Sequence, residues 1–169
     1  MAKILKGKGR ANAFLPAPGL KEFLVKVKER GIKIGLVTSG LYEKAWPEII
    51  AAFRTMKMGN PQDFYDAIIS AGFAIRHGQA GTLGELESKP HPWLYAETAR
   101  VGLGLKPSER DRVVGLEDSG AGVVSIRLAG FACIGMGGGN IRGSGVRPLL
   151  LAERETLTDA LPLVLGEEN

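Results

Sequence analysis

Cysteine and histidine are scarce in this chain: one cysteine, Cys133, and two histidines, His77 and His91, in 169 residues. A lone cysteine excludes an intramolecular disulfide framework and makes a reducing compartment, the cytoplasm, the default expectation. One cysteine and two histidines do not make up a typical zinc set. No apolar run approaches the roughly 20 residues needed to cross a bilayer, and no secretory signal is visible. The phosphate-cradling pattern G-x-x-x-x-G-K-[ST] does not occur. The glycine-rich G-M-G-G-G-N at 135–140 is not a G-x-G-x-x-G and follows a late strand, so no dinucleotide site is expected.

What is present is ordinary for a globular domain: 44% hydrophobic and 24% charged residues, with a mild net charge of +4. Part of that charge lies in Lys3, Lys6, Lys8 and Arg10. These cations lack interleaved aromatics and stand outside the patterned region. Residues 1–15 therefore read as a basic irregular segment, and no nucleic-acid or membrane partner is expected. The remainder, 16–169, is long enough for one domain with a real core.

From residue 16 onward, helical and strand patterns alternate. A helix with Leu20, Phe23, Leu24 and Val27 on one face closes at Gly31. A strand, I-K-I-G-L-V, occupies 32–37 and ends in Thr38, Ser39 and Gly40. A helix follows over 41–56, broken or kinked near Pro47, and then a strand within 65–71. The glycine-rich stretch 72–87 reads as a long loop. After Lys89-Pro90-His91-Pro92 comes a helix to about Val101, a strand at 113–116 and a helix at 121–128. A strand at 131–134, a glycine-rich loop at 135–145, a short strand at 149–151 and a final helix at 157–165 complete the order. Such alternation predicts an α/β fold with a mostly parallel sheet and helices on both faces.

Three polar sites fall at or near strand ends, where open α/β sheets place their chemistry. Thr38 and Ser39 follow the first strand, Lys89 precedes a helix, and Glu117 and Asp118 end the strand at 113–116. Two adjacent carboxylates at a sheet edge repel unless a cation lies between them, and oxygen donors of this kind suit Mg²⁺. Hydroxyls, a cation and metal-binding carboxylates together suit phosphoryl transfer. Each residue also has a plainer reading. Thr38, Asp118 or Ser119 can simply cap the next helix, and Lys89 can be an ordinary exposed lysine.

The segments G-I-K-I-G-L-V-T-S-G at 31–40, S-K-P-H-P-W-L-Y-A-E-T-A-R-V-G-L at 88–103 and V-V-G-L-E-D-S-G-A-G-V at 113–123 resemble, in order, motifs II, III and IV of the haloacid dehalogenase-like (HAD) hydrolases. The β-phosphoglucomutase-like branch, with its many sugar-phosphate phosphatases, is the one they look most like. P-A-P-G-L-K-E-F-L at 16–24 and F-A-C-I-G-M-G at 131–137 extend the resemblance. It implies a Rossmann-like core and a Mg²⁺-dependent phosphatase acting on a small phosphorylated metabolite. Thr38 would bind the phosphoryl group with help from the Ser39 N–H, Lys89 would bridge phosphate and nucleophile, and Glu117 and Asp118 would hold Mg²⁺ directly or through water.

The family's motif I, D-x-D-x-(T/V), carries the nucleophilic Asp, and this sequence has no D-x-D. The motif I strand lies in the middle of the family's sheet, between the strand ending in Thr38 and the one ending in Glu117. The resemblance therefore implies a truncated, incomplete HAD-like core lacking that strand and most of the cap. Two interior strand edges would be left unpaired, inviting self-association or pairing with a missing N-terminal part. Residues 2–5 are a weak candidate for a replacement strand. A catalytically inactive module that binds phosphate or Mg²⁺ is the alternative reading.

Overall fold

In the first helix, α1 (Leu20–Glu29), Phe23, Leu24 and Val27 repeat at helical spacing and are buried. Glu22 and Lys26 pair across one exposed turn at 3.0 Å, and Gly31 ends the helix with a positive φ of 70°. The computed structural model describes residues 16–71, 73–76 and 87–168. The basic segment 1–15, with its candidate strand at 2–5, and the greater part of the expected loop at 72–87 lie outside the described residues.

The first strand, β1 (Gly35–Leu41), starts and ends later than 32–37, so Thr38, Ser39 and Gly40 belong to the strand and do not follow it. Helix α2 (Tyr42–Met56) runs on through Pro47 and buries Phe53 and Met56. The next strand, β2 (Ala67–Ala71), is parallel to β1, with Leu36 opposite Ile68 and Val37 opposite Ile69. Where a long loop was expected, β3 (Phe73–Arg76) turns back antiparallel along β2. The glycines around it hid a four-residue strand, F-A-I-R, too short to show a period of its own.

Helix α3 (Trp93–Glu97) continues into a π-helical turn at Thr98–Gly102. Strand β4 (Val114–Glu117) follows a 3₁₀ segment at Pro107–Arg112. Helix α4 (Gly120–Leu128) begins at once, N-capped by Ser119, whose Oγ accepts from the Gly122 N–H. The plain capping reading thus holds for Ser119. Strand β5 (Ala132–Met136), the short helix α5 (Ile141–Ser144), strand β6 (Ala152–Arg154) and helix α6 (Leu157–Val164) close the chain. The last strand lies three residues beyond the expected 149–151, because Arg147–Leu149 forms a 3₁₀ turn around Pro148.

The described strands form two three-stranded sheets, β1-β2-β3 and β4-β5-β6. Both are covered by shared helical layers. On one face, Leu36 of β1 and Leu116 of β4 pack into the same cluster, with Phe23 and Leu24 of α1, Phe53 of α2 and Leu161 of α6. On the other, Leu94 of α3 packs on Ile69 with Val37, while its neighbour Tyr95 packs on the cluster of Val123, Ile126 and Cys133. The helices therefore span both sheets, although among the described residues no strand joins them.

Candidate active site

The C-terminal ends of β1 and β4 open onto one cleft of about 780 Å³, lined by Thr38, Ser39, Lys89, Glu117 and Asp118 among others. All five residues singled out in the sequence therefore line one space. The Lys89 backbone N–H donates to Ser39 Oγ at 3.3 Å, and the Lys89 ammonium pairs with Glu117 Oε1. The loop before α3 is thus tied to both strand ends. Thr38 Oγ1 accepts from the Gly40 N–H at 3.0 Å, within its own strand end.

The two carboxylates divide. Glu117 is 7% exposed, and both of its carboxylate oxygens accept hydrogen bonds. Oε1 accepts from Lys89 and, at 2.7 Å, from the Tyr95 hydroxyl. Oε2 accepts from the Asp118 and Ser119 N–H groups and from Ser119 Oγ at 3.0–3.2 Å. Burial pushes this carboxyl up, but the Lys89 charge and the hydrogen bonds from Lys89, Tyr95 and Ser119 outweigh it and hold Glu117 below the usual carboxylate range. The Tyr95 phenol is driven upward, first by burial and then by the Glu117 charge, so it stays a donor. Asp118 is the opposite case: its side chain is exposed at the cleft and makes no hydrogen bond or ion pair among the described residues.

Two glycines make this turn possible by close approach. A Cβ on Gly122 would strike the Glu117 carboxylate, and one on Gly139 would strike the Asp118 carbonyl. Asn140 completes the turn, donating its N–H to the Asp118 carbonyl at 3.0 Å and accepting the Gly120 N–H at 2.8 Å. Tyr95, Asn140 and Ser125 are residues that sequence reasoning passed over. Ser125 is fully buried on α4, and its Oγ donates to the His91 carbonyl at 2.6 Å, pinning the Lys89 loop. The one signal for it was a hydroxyl inside the apolar run V-V-S-I. Tyr95, six residues past Lys89, lies within the expected helix.

Among the described residues, no three histidine, cysteine or acidic side chains gather as a metal set. Mg²⁺ usually takes one or two carboxylates and fills its shell with water and phosphate. An exposed Asp118 at the rim of the cleft, beside Lys89 and Ser119, fits one such ligand. Glu117, committed to Lys89 and Tyr95, supports the turn that presents Asp118.

Helices spanning both faces of mostly parallel strands, with a polar rim at the strand ends, define a Rossmann-like α/β fold. No family model matches the chain. A glyceraldehyde 3-phosphate phosphatase from Methanopyrus kandleri is 30% identical over 119 residues, 67% of this chain and 43% of that protein. The crystal structure of CbbY from Rhodobacter sphaeroides in complex with phosphate is similar at a TM-score of 0.62 and 23% identity, covering 85% of this chain and 55% of that one. A β-phosphoglucomutase from Clostridium difficile is similar at 0.61 and 21% identity, over 98% of this chain and 60% of that one. The chain has the fold of the HAD-like hydrolases, and its resemblance to their β-phosphoglucomutase-like and phosphatase branch is borne out. It spans about half the length of these relatives.

Proposed function

We propose that this cleft is the phosphate-binding part of a Mg²⁺-dependent phosphatase centre acting on a small phosphate ester. The observation that carries the reading is the convergence of Lys89, the Thr38–Ser39 strand end and the Glu117–Asp118 turn on one cleft. Lys89 supplies the positive charge for a phosphoryl group, and Thr38 and Ser39 supply hydroxyl and N–H donors, aimed at oxygens whose charge changes during transfer. Asp118 is the proposed Mg²⁺ ligand, and the ion would neutralise charge on the phosphoryl oxygens. Glu117 holds Lys89 in place until an anion takes over the ammonium.

Hydrolysis of a monoester also needs a nucleophile, and this sequence has no D-x-D to supply one. The nucleophilic Asp is proposed to come from outside these 169 residues. The relative from M. kandleri is named for a three-carbon phosphate ester, in keeping with a small substrate. A cytoplasmic setting agrees with the single, buried, unpaired Cys133. Among the described residues, no helix is long and apolar enough to cross a membrane.

The missing nucleophile favours a second reading, a module that binds phosphate or Mg²⁺ without turnover. Assay of the purified chain with p-nitrophenyl phosphate and Mg²⁺, beside a phosphate-binding measurement, tests both readings. Turnover abolished by Asp118→Asn supports a working centre within the chain. Phosphate binding without turnover supports the module, or a centre completed from elsewhere. Failure to bind either phosphate or Mg²⁺ overturns both.

A further inference from the structure

We propose that Tyr95 is a positioning residue, a role that rests on the phosphate reading of the cleft: its hydroxyl secures the Glu117 carboxylate so that the Lys89 ammonium can turn from Glu117 to a bound anion. A lysine held in a buried ion pair is a poor anion ligand, because its departure strands a charge out of water. Lys89 and Glu117 are such a pair, with both side chains largely buried. Lys89 serves a phosphoryl group only where something else keeps Glu117 satisfied. Tyr95 lines the same cleft and stands beside both partners.

Two donors meet on Glu117 Oε1: the Lys89 ammonium and, at 2.7 Å, the Tyr95 hydroxyl. Oε2 is satisfied separately, by the Asp118 and Ser119 N–H groups and by Ser119 Oγ. When Lys89 moves, Oε1 is therefore the atom at risk, and Tyr95 is the donor that stays. Its ring is anchored without the ion pair. Tyr95 follows the fully buried Leu94 on α3 and packs on the cluster of Val123, Ile126 and Cys133. The Lys89 backbone is anchored as well, by its N–H on Ser39 Oγ and by Ser125 Oγ on the His91 carbonyl. Movement is thus confined to the flexible Lys89 side chain, whose ammonium carries three rotatable donors. Nζ lies 5.1 Å from the centre of the Tyr95 ring, so the ring face attracts the cation too. Phe at this position would keep the ring and its packing and remove the hydroxyl alone.

The test is calorimetric titration of inorganic phosphate into the full chain as wild type, Tyr95→Phe, Glu117→Gln and the double variant, with and without Mg²⁺. Tyr95→Phe should raise the Kd about tenfold, since Lys89 then leaves only by stripping Oε1 of its last donor. The same loss should appear without Mg²⁺, because Tyr95 acts through Lys89 and not through Asp118. In the Glu117→Gln background no buried carboxylate is left to secure, so adding Tyr95→Phe should change the Kd by less than about twofold. A purely structural tyrosine would lower Tm in both backgrounds and leave both affinities unchanged. The wild type supplies a second measurement that does not depend on a variant folding. On saturation with phosphate, the Lys89 ¹⁵Nζ resonance should shift while the Tyr95 ¹³Cζ resonance stays in place. Three results would overturn the proposal: an unchanged Kd in Tyr95→Phe, an equal loss in the two backgrounds, or a Tyr95 resonance that moves while that of Lys89 does not. Failure of the phosphate reading itself shows differently, as a wild type that does not bind phosphate, and overturns this role along with it.

Discussion

Lys89, Tyr95 and Glu117 form a single electrostatic unit. The Lys89 ammonium lies 5.1 Å from the centre of the Tyr95 ring, whose hydroxyl bonds the same Glu117 oxygen that Lys89 does. Both members of the ion pair are largely buried, with side chains 13% and 6% exposed. Removing one partner of a buried pair leaves the other uncompensated, which costs about 3–5 kcal/mol. Lys89→Ala should fall at the low end, about 3 kcal/mol, because Tyr95 and Ser119 still donate to Glu117. Differential scanning calorimetry should show Tm lowered by roughly 6–12 °C at that cost; an unchanged Tm would mean the pair is not formed in solution. The pH dependence follows from the sign of the Glu117 shift. Its folded value lies below its unfolded one, so its contribution is complete above the ordinary Glu range near ~4.3 and is lost as pH falls through the depressed value. The Tm of the wild type should therefore drop more steeply below about pH 4 than that of Glu117→Gln. Parallel profiles would contradict the assignment.

At the scale of elements, the site is held by ties between strand ends, a loop and one helix. Ser125 on α4 fastens the carbonyl of His91 two residues past Lys89. Ser125→Ala should cost about 1 kcal/mol and loosen the loop, seen as faster amide exchange at Lys89 and His91 with α4 still protected. Uniform loss of protection would instead mean a folding defect. These ties explain what could be read from the chain. Thr38, Ser39, Glu117 and Asp118 were legible because they stand at or near the end of an apolar run, where an ionic or hydroxyl side chain has no packing role, and Lys89 was legible as the cation before a helix, in the segment 88–103. The strand at 113–116 and the helices with Phe23 or Val123 were legible from their periodicity. β3 was not, because four residues flanked by glycines carry too little pattern, and β1 was misplaced because I-K-I looked like its start. The division of labour between Glu117 and Asp118 was hidden too. It depends on Lys89 and Tyr95, which are distant in sequence and meet only once α3 packs against the strand ends.

At the scale of the whole molecule, two three-stranded sheets share helical layers, and among the described residues no strand joins them. Cys133, the second residue of β5, is fully buried, and its thiol is pushed up to about 12, by burial first and by the Glu117 charge second. It should be inert to a thiol reagent such as 5,5′-dithiobis(2-nitrobenzoate) in the folded chain and react as the β4-β5-β6 sheet opens in denaturant. Reaction at native rates would mean that this sheet is not formed in solution. Phosphate binding and turnover are separate questions: the rim is built from described residues, whereas the sequence contains no D-x-D. The most direct measurement is calorimetric titration of inorganic phosphate into the chain with Mg²⁺ present. Saturable binding to one site, weakened about tenfold or more by Lys89→Ala and by Asp118→Asn only when Mg²⁺ is present, is the predicted result. Absence of binding, or binding indifferent to both substitutions, would contradict a phosphate site at this rim.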